Sequence, residues 1–161
     1  MKKYTMRKVL IALDFDPTSQ KVAEVGYSFA TSLGADVILL HVTVDPLFYS
    51  SVESFPIIGY TGSLITPLQL LNTDETKKES GRFLDKIKQH LGDDRIQTLI
   101  KEGDFADVIL KTAEEIKADM IVMGSHSKRW LEEIIMGSVT ESVLHQTTIP
   151  LFIIPTHKFK N

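Results

Sequence analysis

The stretch Lys8-Val-Leu-Ile-Ala-Leu-Asp14 is apolar at five consecutive positions, Val9 to Leu13, and then stops at a carboxylate. A strand reads this way when both of its faces are covered, as in a parallel sheet; a strand covered on one face alternates. Four further runs follow, at Asp36-Val-Ile-Leu-Leu-His-Val42, Ile96-Gln-Thr-Leu-Ile100, Asp119-Met-Ile-Val-Met123 and Pro150-Leu-Phe-Ile-Ile154. Ile96 to Ile100 mixes polar with apolar residues, which assigns it to an edge of the sheet.

Helical periods lie between the runs. From Thr18 to Leu33 the residues Ala23, Gly26, Tyr27, Ala30 and Leu33 share one stripe, and Gly34 follows as a stop. Phe83, Leu84, Ile87 and Leu91 repeat the pattern before Gly92. Asp104 is placed to cap a helix striped by Phe105, Val108, Ile109, Thr112, Ala113 and Ile116, and a fourth helix should run from Ser138 to about Gln146. Strands alternating with helical crossovers imply an α/β fold, a mostly parallel five-stranded sheet with helices on both faces. Ligands of such sheets bind beyond the carboxyl ends of the strands, at the turns after Asp14, Val42 and Met123.

At 161 residues the chain has the size of a single domain, 1–161, since domains average about 150 residues. Only Asp45 to Pro67 fits poorly: it carries aromatic residues without a period, and a long loop of this kind is expected to be functional, mobile or in contact with a partner. Eighteen Lys+Arg against twenty-one Asp+Glu leave a formal charge of −3, too balanced for holding nucleic acid by counterion release. No cysteine means no disulfide framework, thiolate metal site or cysteine nucleophile. The apolar run after the basic start is too short for a secretory or membrane-spanning segment, so a cytoplasmic protein with no membrane partner is expected.

The chemistry concentrates in Met123-Gly-Ser-His-Ser-Lys-Arg-Trp-Leu-Glu-Glu-Ile-Ile-Met-Gly-Ser-Val-Thr140. A buried strand stops at a glycine, a polar loop follows, and Gly137-Ser138-Val139-Thr140 opens a helix. Gly124 and Gly137 let the backbone approach a ligand, and the free amides and positive dipole end of a helix start favour phosphate. Ser138 and Thr140 would add hydroxyl donors. The same Gly-Ser is also an ordinary helix cap, and both readings stand at this point.

These residues resemble the universal stress protein family, whose pattern is glycine, two residues, glycine, nine residues, glycine, then serine or threonine, after the fourth strand. Gly124, the Gly137-Ser138 pair and the nine residues between 127 and 137 match, while Ser127 stands where the pattern has its second glycine. The likeness extends through Val-Leu-Ile-Ala-Leu-Asp14, Ala35-Asp-Val-Ile-Leu-Leu-His-Val42, Glu102-Gly-Asp-Phe-Ala-Asp-Val-Ile and Ala118-Asp-Met-Ile-Val-Met-Gly-Ser-His126. It implies a Rossmann-like fold of the adenine nucleotide alpha hydrolase type, strand order 3-2-1-4-5. It implies a cytoplasmic stress-response regulator binding ATP or AMP, with Mg²⁺ carried on the phosphates and at most slow hydrolysis. By position, Ala12, Leu13 and Asp14 would line the adenosine end, and the backbone of Val42 would meet the adenine. Met123, Gly124, His126 and Ser127 would follow the ribose and phosphates, and Gly137, Ser138, Val139 and Thr140 would cradle the phosphates. A second departure is Phe15-Asp16, in place of a small residue after the first Asp; a carboxylate there repels phosphate unless it turns away.

Plainer readings stand beside these. Asp14 serves equally as a cap of the turn after its strand. His41, inside the second strand, reads as a satisfied core histidine, and the remaining histidines lack the spacing of a metal-binding helix. Lys128 and Arg129 are either phosphate partners or a solvated loop. The uncharged run Leu151 to Ile154, if it ends the sheet, offers an open edge through which a homodimer would form, unless the tail Thr156 to Asn161 covers it. No catalytic residue is assigned, for no Walker loop, nucleophile elbow or Gly-x-Gly-x-x-Gly is present. The alternatives are a dimeric stress protein that acts through protein contacts without nucleotide, and a related flavin-binding or nucleotidyl-transfer domain.

Overall fold

The computed structural model describes residues 5–44, 57–58, 64–65, 73–125 and 137–156. The elements are β1 (Lys8–Leu13), α1 (Ser19–Ser32), β2 (Asp36–Thr43), β3 (Ile57–Ile58), β4 (Leu64–Ile65), α2 (Thr73–Leu91), β5 (Gln97–Glu102), α3 (Phe105–Glu115), β6 (Met120–Ser125), α4 (Ser138–Gln146) and β7 (Leu151–Pro155). Five strands form one sheet in the order β5-β2-β1-β6-β7, which is 3-2-1-4-5 when its own strands are counted. Every neighbour in it is parallel. Within the stretch read as lacking a period, β3 and β4 pair antiparallel as a separate two-stranded ribbon; the remainder of 45–67 falls outside the described residues.

The continuous apolar runs have the cause inferred from them. Val9, Ile11 and Leu13 of β1 face a core built with Val22, Ala23 and Ala30 of α1 and Phe83, Leu84 and Ile87 of α2. Their neighbour Leu10 faces a second core with Ala106, Ile109 and Ala113 of α3 and Val143 of α4. Successive side chains point to opposite faces, so a strand covered twice is apolar at every position. β5 lies at one edge, and its polar Gln97, Thr98, Lys101 and Glu102 are exposed there.

Helix ends follow the expected chemistry. Asp104 caps α3 by accepting from the Asp107 amide at 3.1 Å, and Gly34 and Gly92 end α1 and α2 at φ +68° and +69°. The stripe of α1 matches expectation at Ala23, Gly26 and Ala30 and departs from it at Leu33. The buried residues of α1 are Ser19, Val22, Ala23, Gly26 and Ala30, while Leu33 is exposed. Gly26 sets this rotation, because a Cβ there would sit 2.9 Å from Ile11 Cδ1 and 3.0 Å from Val122 Cγ1. The helix therefore rests its backbone on the sheet at that point.

α1 and α2 cover one face, α3 and α4 the other. The chain leaves β1 toward the first face and the adjacent β6 toward the second. A crevice opens between their carboxyl ends, where ligands of open α/β sheets bind.

Candidate functional site

A cleft of about 280 Å³ lies at this crevice. Ala12, Leu13 and Asp14 from the end of β1, Leu40 and Val42 from β2, and Met123 and Gly124 from β6 form its floor and flanks. Phe105 and Ile109 of α3 form one wall, and Gly137, Ser138, Val139 and Thr140 at the start of α4 form the other. The residues singled out for a ligand at 12–14, 42, 123–124 and 137–140 are thus gathered on one hollow. His126 and Ser127, with Lys128 and Arg129, lie outside the described residues.

The two ends of the hollow differ in chemistry. Leu40, Val42, Phe105, Ile109 and Met123 make one side apolar, suited to a flat ring system. The other is the amino end of α4. Its first hydrogen bond runs from the Glu141 amide to the Gly137 carbonyl at 2.9 Å, so the amides of Ser138, Val139 and Thr140 precede the helical ladder. Gly137 is the N-cap and supplies no side chain to them. Such a terminus carries about half a positive charge.

One expected donor is committed elsewhere. The buried Thr140 hydroxyl donates to the Gly124 carbonyl at 3.1 Å, tying α4 to the end of β6. Toward a ligand Thr140 therefore offers its main-chain N–H, and the hydroxyl on this turn is that of the exposed Ser138. A second tie joins the Thr156 hydroxyl to the Ser125 carbonyl, holding β7's exit against β6.

The β1–α1 turn settles two open questions. Asp14 both lines the cleft and braces the turn: its Oδ1 accepts from the Asp16 amide at 3.2 Å and from Ser19 Oγ at 3.0 Å. Asp16 turns toward α1, where its Oδ1 accepts from the Thr18 amide at 2.8 Å and the Thr18 hydroxyl at 2.6 Å. Phe15 packs on the other face of the sheet, its ring 4.3 Å from that of His41 and 5.2 Å from that of Phe83. His41 is buried, and burial pushes its pKa down against the opposing pull of the Leu13 carbonyl and Asp14. The imidazole is neutral at pH 7.

Leu40, Phe105 and Ile109 escaped the sequence reading. Leu40 was available, because it shares a face with Val42 two residues on. Phe105 and Ile109 come from the crossover after β5, whose amino end reaches the crevice because β5 lies beside β2. Among the described residues no group of three or more His, Cys, Asp or Glu is placed to hold a metal, and no helix is long and apolar enough to cross a membrane.

The family model described as universal stress protein family matches residues 5–155. The universal stress protein MJ0577 of Methanocaldococcus jannaschii is 29% identical over 153 residues, covering 92% of this chain and 94% of that protein. Its solved structure superposes with a TM-score of 0.72 at 27% identity, over 96% of this chain and 99% of that one. The fold is shared with a universal stress protein solved in complex with cAMP, at TM-score 0.66 and 16% identity over 96% of this chain and all of that one. It is shared also with the Archaeoglobus fulgidus protein solved in complex with dAMP, at TM-score 0.57 and 17% identity, over 93% and 98% of the two chains.

Proposed function

Because this chain belongs to the universal stress protein family, we propose that it is a cytoplasmic stress-response regulator that binds AMP or ATP in the cleft between β1, β6 and α4. The observation that carries the reading is the start of α4. Three successive amides, uncapped by any side chain at Gly137, line the hollow opposite its apolar side. A phosphate fits that end and a purine the other, and a charge placed there gains about 0.3 to 2 kcal/mol from the helix dipole alone. The cAMP and dAMP bound by two proteins of this fold belong to the same ligand class. Mg²⁺ would enter on the phosphates of ATP, as hard oxygen-bound Mg²⁺ generally does. Regulation fits better than turnover, because among the described lining residues Asp14 is the only one that could act as a general base, and its Oδ1 already braces the turn.

The apolar edge at β7 supports a second element of the proposal, a homodimer joined through Leu151 to Ile154. The rival reading, a dimer that works without nucleotide, shares this edge and draws on Ser127, Asp16 and the aromatic stretch Phe48 to Tyr60.

Titration calorimetry with AMP and Mg-ATP, on the wild type and Gly137→Val, separates them. Gly137 sits at φ −60° and ψ 155°, which any residue adopts, so valine brings no backbone strain there. Its branched side chain projects at the phosphate end, and affinity is expected to fall at least about tenfold, about 1.4 kcal/mol. Unchanged affinity refutes the placement. A wild type that binds neither nucleotide favours the nucleotide-free dimer, and one that retains FMN favours a flavin domain.

A further inference from the structure

His41 is the one buried histidine among the described residues, and the ligand contacts proposed above do not use it. It stands in β2 between Leu40 and Val42, both of which line the cleft, while its own side chain leaves by the opposite face. There its Nδ1 lies 2.8 Å from the carbonyl oxygen of Leu13, the last residue of β1. A carbonyl only accepts, so Nδ1 carries the proton and donates it. Two rings hold the imidazole: Phe15 from the β1–α1 turn at 4.3 Å and Phe83 from α2 at 5.5 Å between centroids. Leu13 and Asp14, immediately beyond the bond, form one flank of the cleft. The side chain therefore ties the two strand ends that any ligand must touch together, from behind.

We propose that His41 is a positioning residue: by bonding the Leu13 carbonyl and wedging under Phe15, it fixes the Leu13–Asp14 flank at the spacing a nucleotide requires. The role rests on the nucleotide reading for its purpose, though not for its physical content. Leu13 and His41 are paired in register at the end of the β1–β2 ladder. Beyond them β1 stops and the chain turns into Asp14-Phe15-Asp16, so the imidazole acts where the ladder gives out. An exposed turn held only at its far end, by Asp16 and Ser19, samples many positions; one held at both ends samples few.

Hydrogen bonding and packing rank two replacements in opposite order. In His41→Asn the amide N–H falls near the place of Nδ1–H, but the shorter side chain leaves space between Phe15 and Phe83. In His41→Leu the space is filled and the donor is lost. Three readouts are taken: amide hydrogen exchange over residues 13–19 without ligand, AMP affinity by calorimetry, and the urea midpoint. If His41 positions the flank, Leu raises exchange at 13–19 and lowers AMP affinity, each about tenfold, whereas Asn stays within about threefold of wild type in both despite a lower midpoint. If exchange and affinity simply follow the midpoint, with Asn the worse variant throughout, the side chain only packs and the proposal falls. Nitrogen-15 spectra of the wild type add a test without substitution, since an Nε2–H tautomer at His41 is incompatible with the bond. A wild type that fails to bind AMP overturns the nucleotide reading, while the exchange order and the tautomer still decide the role of His41.

Discussion

Asp16 and Thr140 illustrate how much a single side chain's direction decides at this site. Asp16 would repel a phosphate if it faced the cleft, but its carboxylate is spent on the Thr18 amide and hydroxyl at the head of α1. Losing a local hydrogen-bond acceptor of this kind costs about 1 kcal/mol, so Asp16→Ala should lower the unfolding free energy by about that much in urea titrations while leaving AMP affinity unchanged. A variant that binds AMP several-fold more tightly would show that the carboxylate does act on the ligand. Thr140→Val strips the Gly124 carbonyl of its buried partner and should cost about 1 to 3 kcal/mol by the same measurement; its main-chain amide stays. The residue pattern at 137–140 was legible because glycine and hydroxyl residues before a helix have few physical uses. Which way the hydroxyls point was not, since the Thr140 acceptor lies sixteen residues away in strand β6.

At the scale of elements, α1 fits closely on the sheet at Gly26. Gly26→Val brings a branched side chain onto Ile11 and Val122, and overpacking of this kind costs about 1 to 3 kcal/mol, read as a lowered urea midpoint. The same rotation of α1 that buries Gly26 exposes Val25, Phe29 and Leu33, spaced four residues apart on one side of the helix. Phe29 meets Phe152 of β7 with ring centroids 4.9 Å apart. An apolar strip thus runs from the helix to the open edge of the sheet, in contrast to the charged edge at β5. Such a surface suits a symmetric partner, since each copy covers the other's edge. Light scattering should give twice the chain mass for the wild type and the single mass for Phe152→Glu; a wild type that stays at the single mass at high concentration contradicts the dimer. The strands and helix caps could be read in advance from run length and capping residues. The facing of α1 was legible in the main, since Ala23, Gly26 and Ala30 are buried and Tyr27 packs on the same core, and only the exposed Leu33 departs from the stripe.

For the whole molecule, the sheet order puts a crevice where β1 and β6 send their chains to opposite faces, and the lining from β1, β6 and α4 follows from that. The alternation of strands and crossovers already pointed to the turns after Asp14, Val42 and Met123, whereas the strand order was implied by the family resemblance. The wall from Phe105 and Ile109 depends on β5 lying beside β2, a matter of topology and not of any local motif. The same packing buries His41 and makes the fold pH-dependent. Burial lowers its pKa in the folded state below the value of about 6.5 it has when unfolded. As pH falls through 6.5 the unfolded chain takes up a proton that the native chain does not, so this stabilisation is whole above about pH 6.5 and is lost progressively below it. Urea midpoints of the wild type should therefore drop more between about pH 7.5 and about pH 5 than those of His41→Asn; equal drops would contradict a buried neutral imidazole.

The central claim is that a phosphate settles on the amides opening α4 while the base lies against the apolar side. Amide chemical shifts followed during titration of the wild type with AMP test it most directly. The largest changes are expected on Ser138, Val139 and Thr140, with a second group at Leu13, Asp14 and Val42. If AMP at saturating concentration leaves the amides of 138–140 unmoved, the claim is wrong.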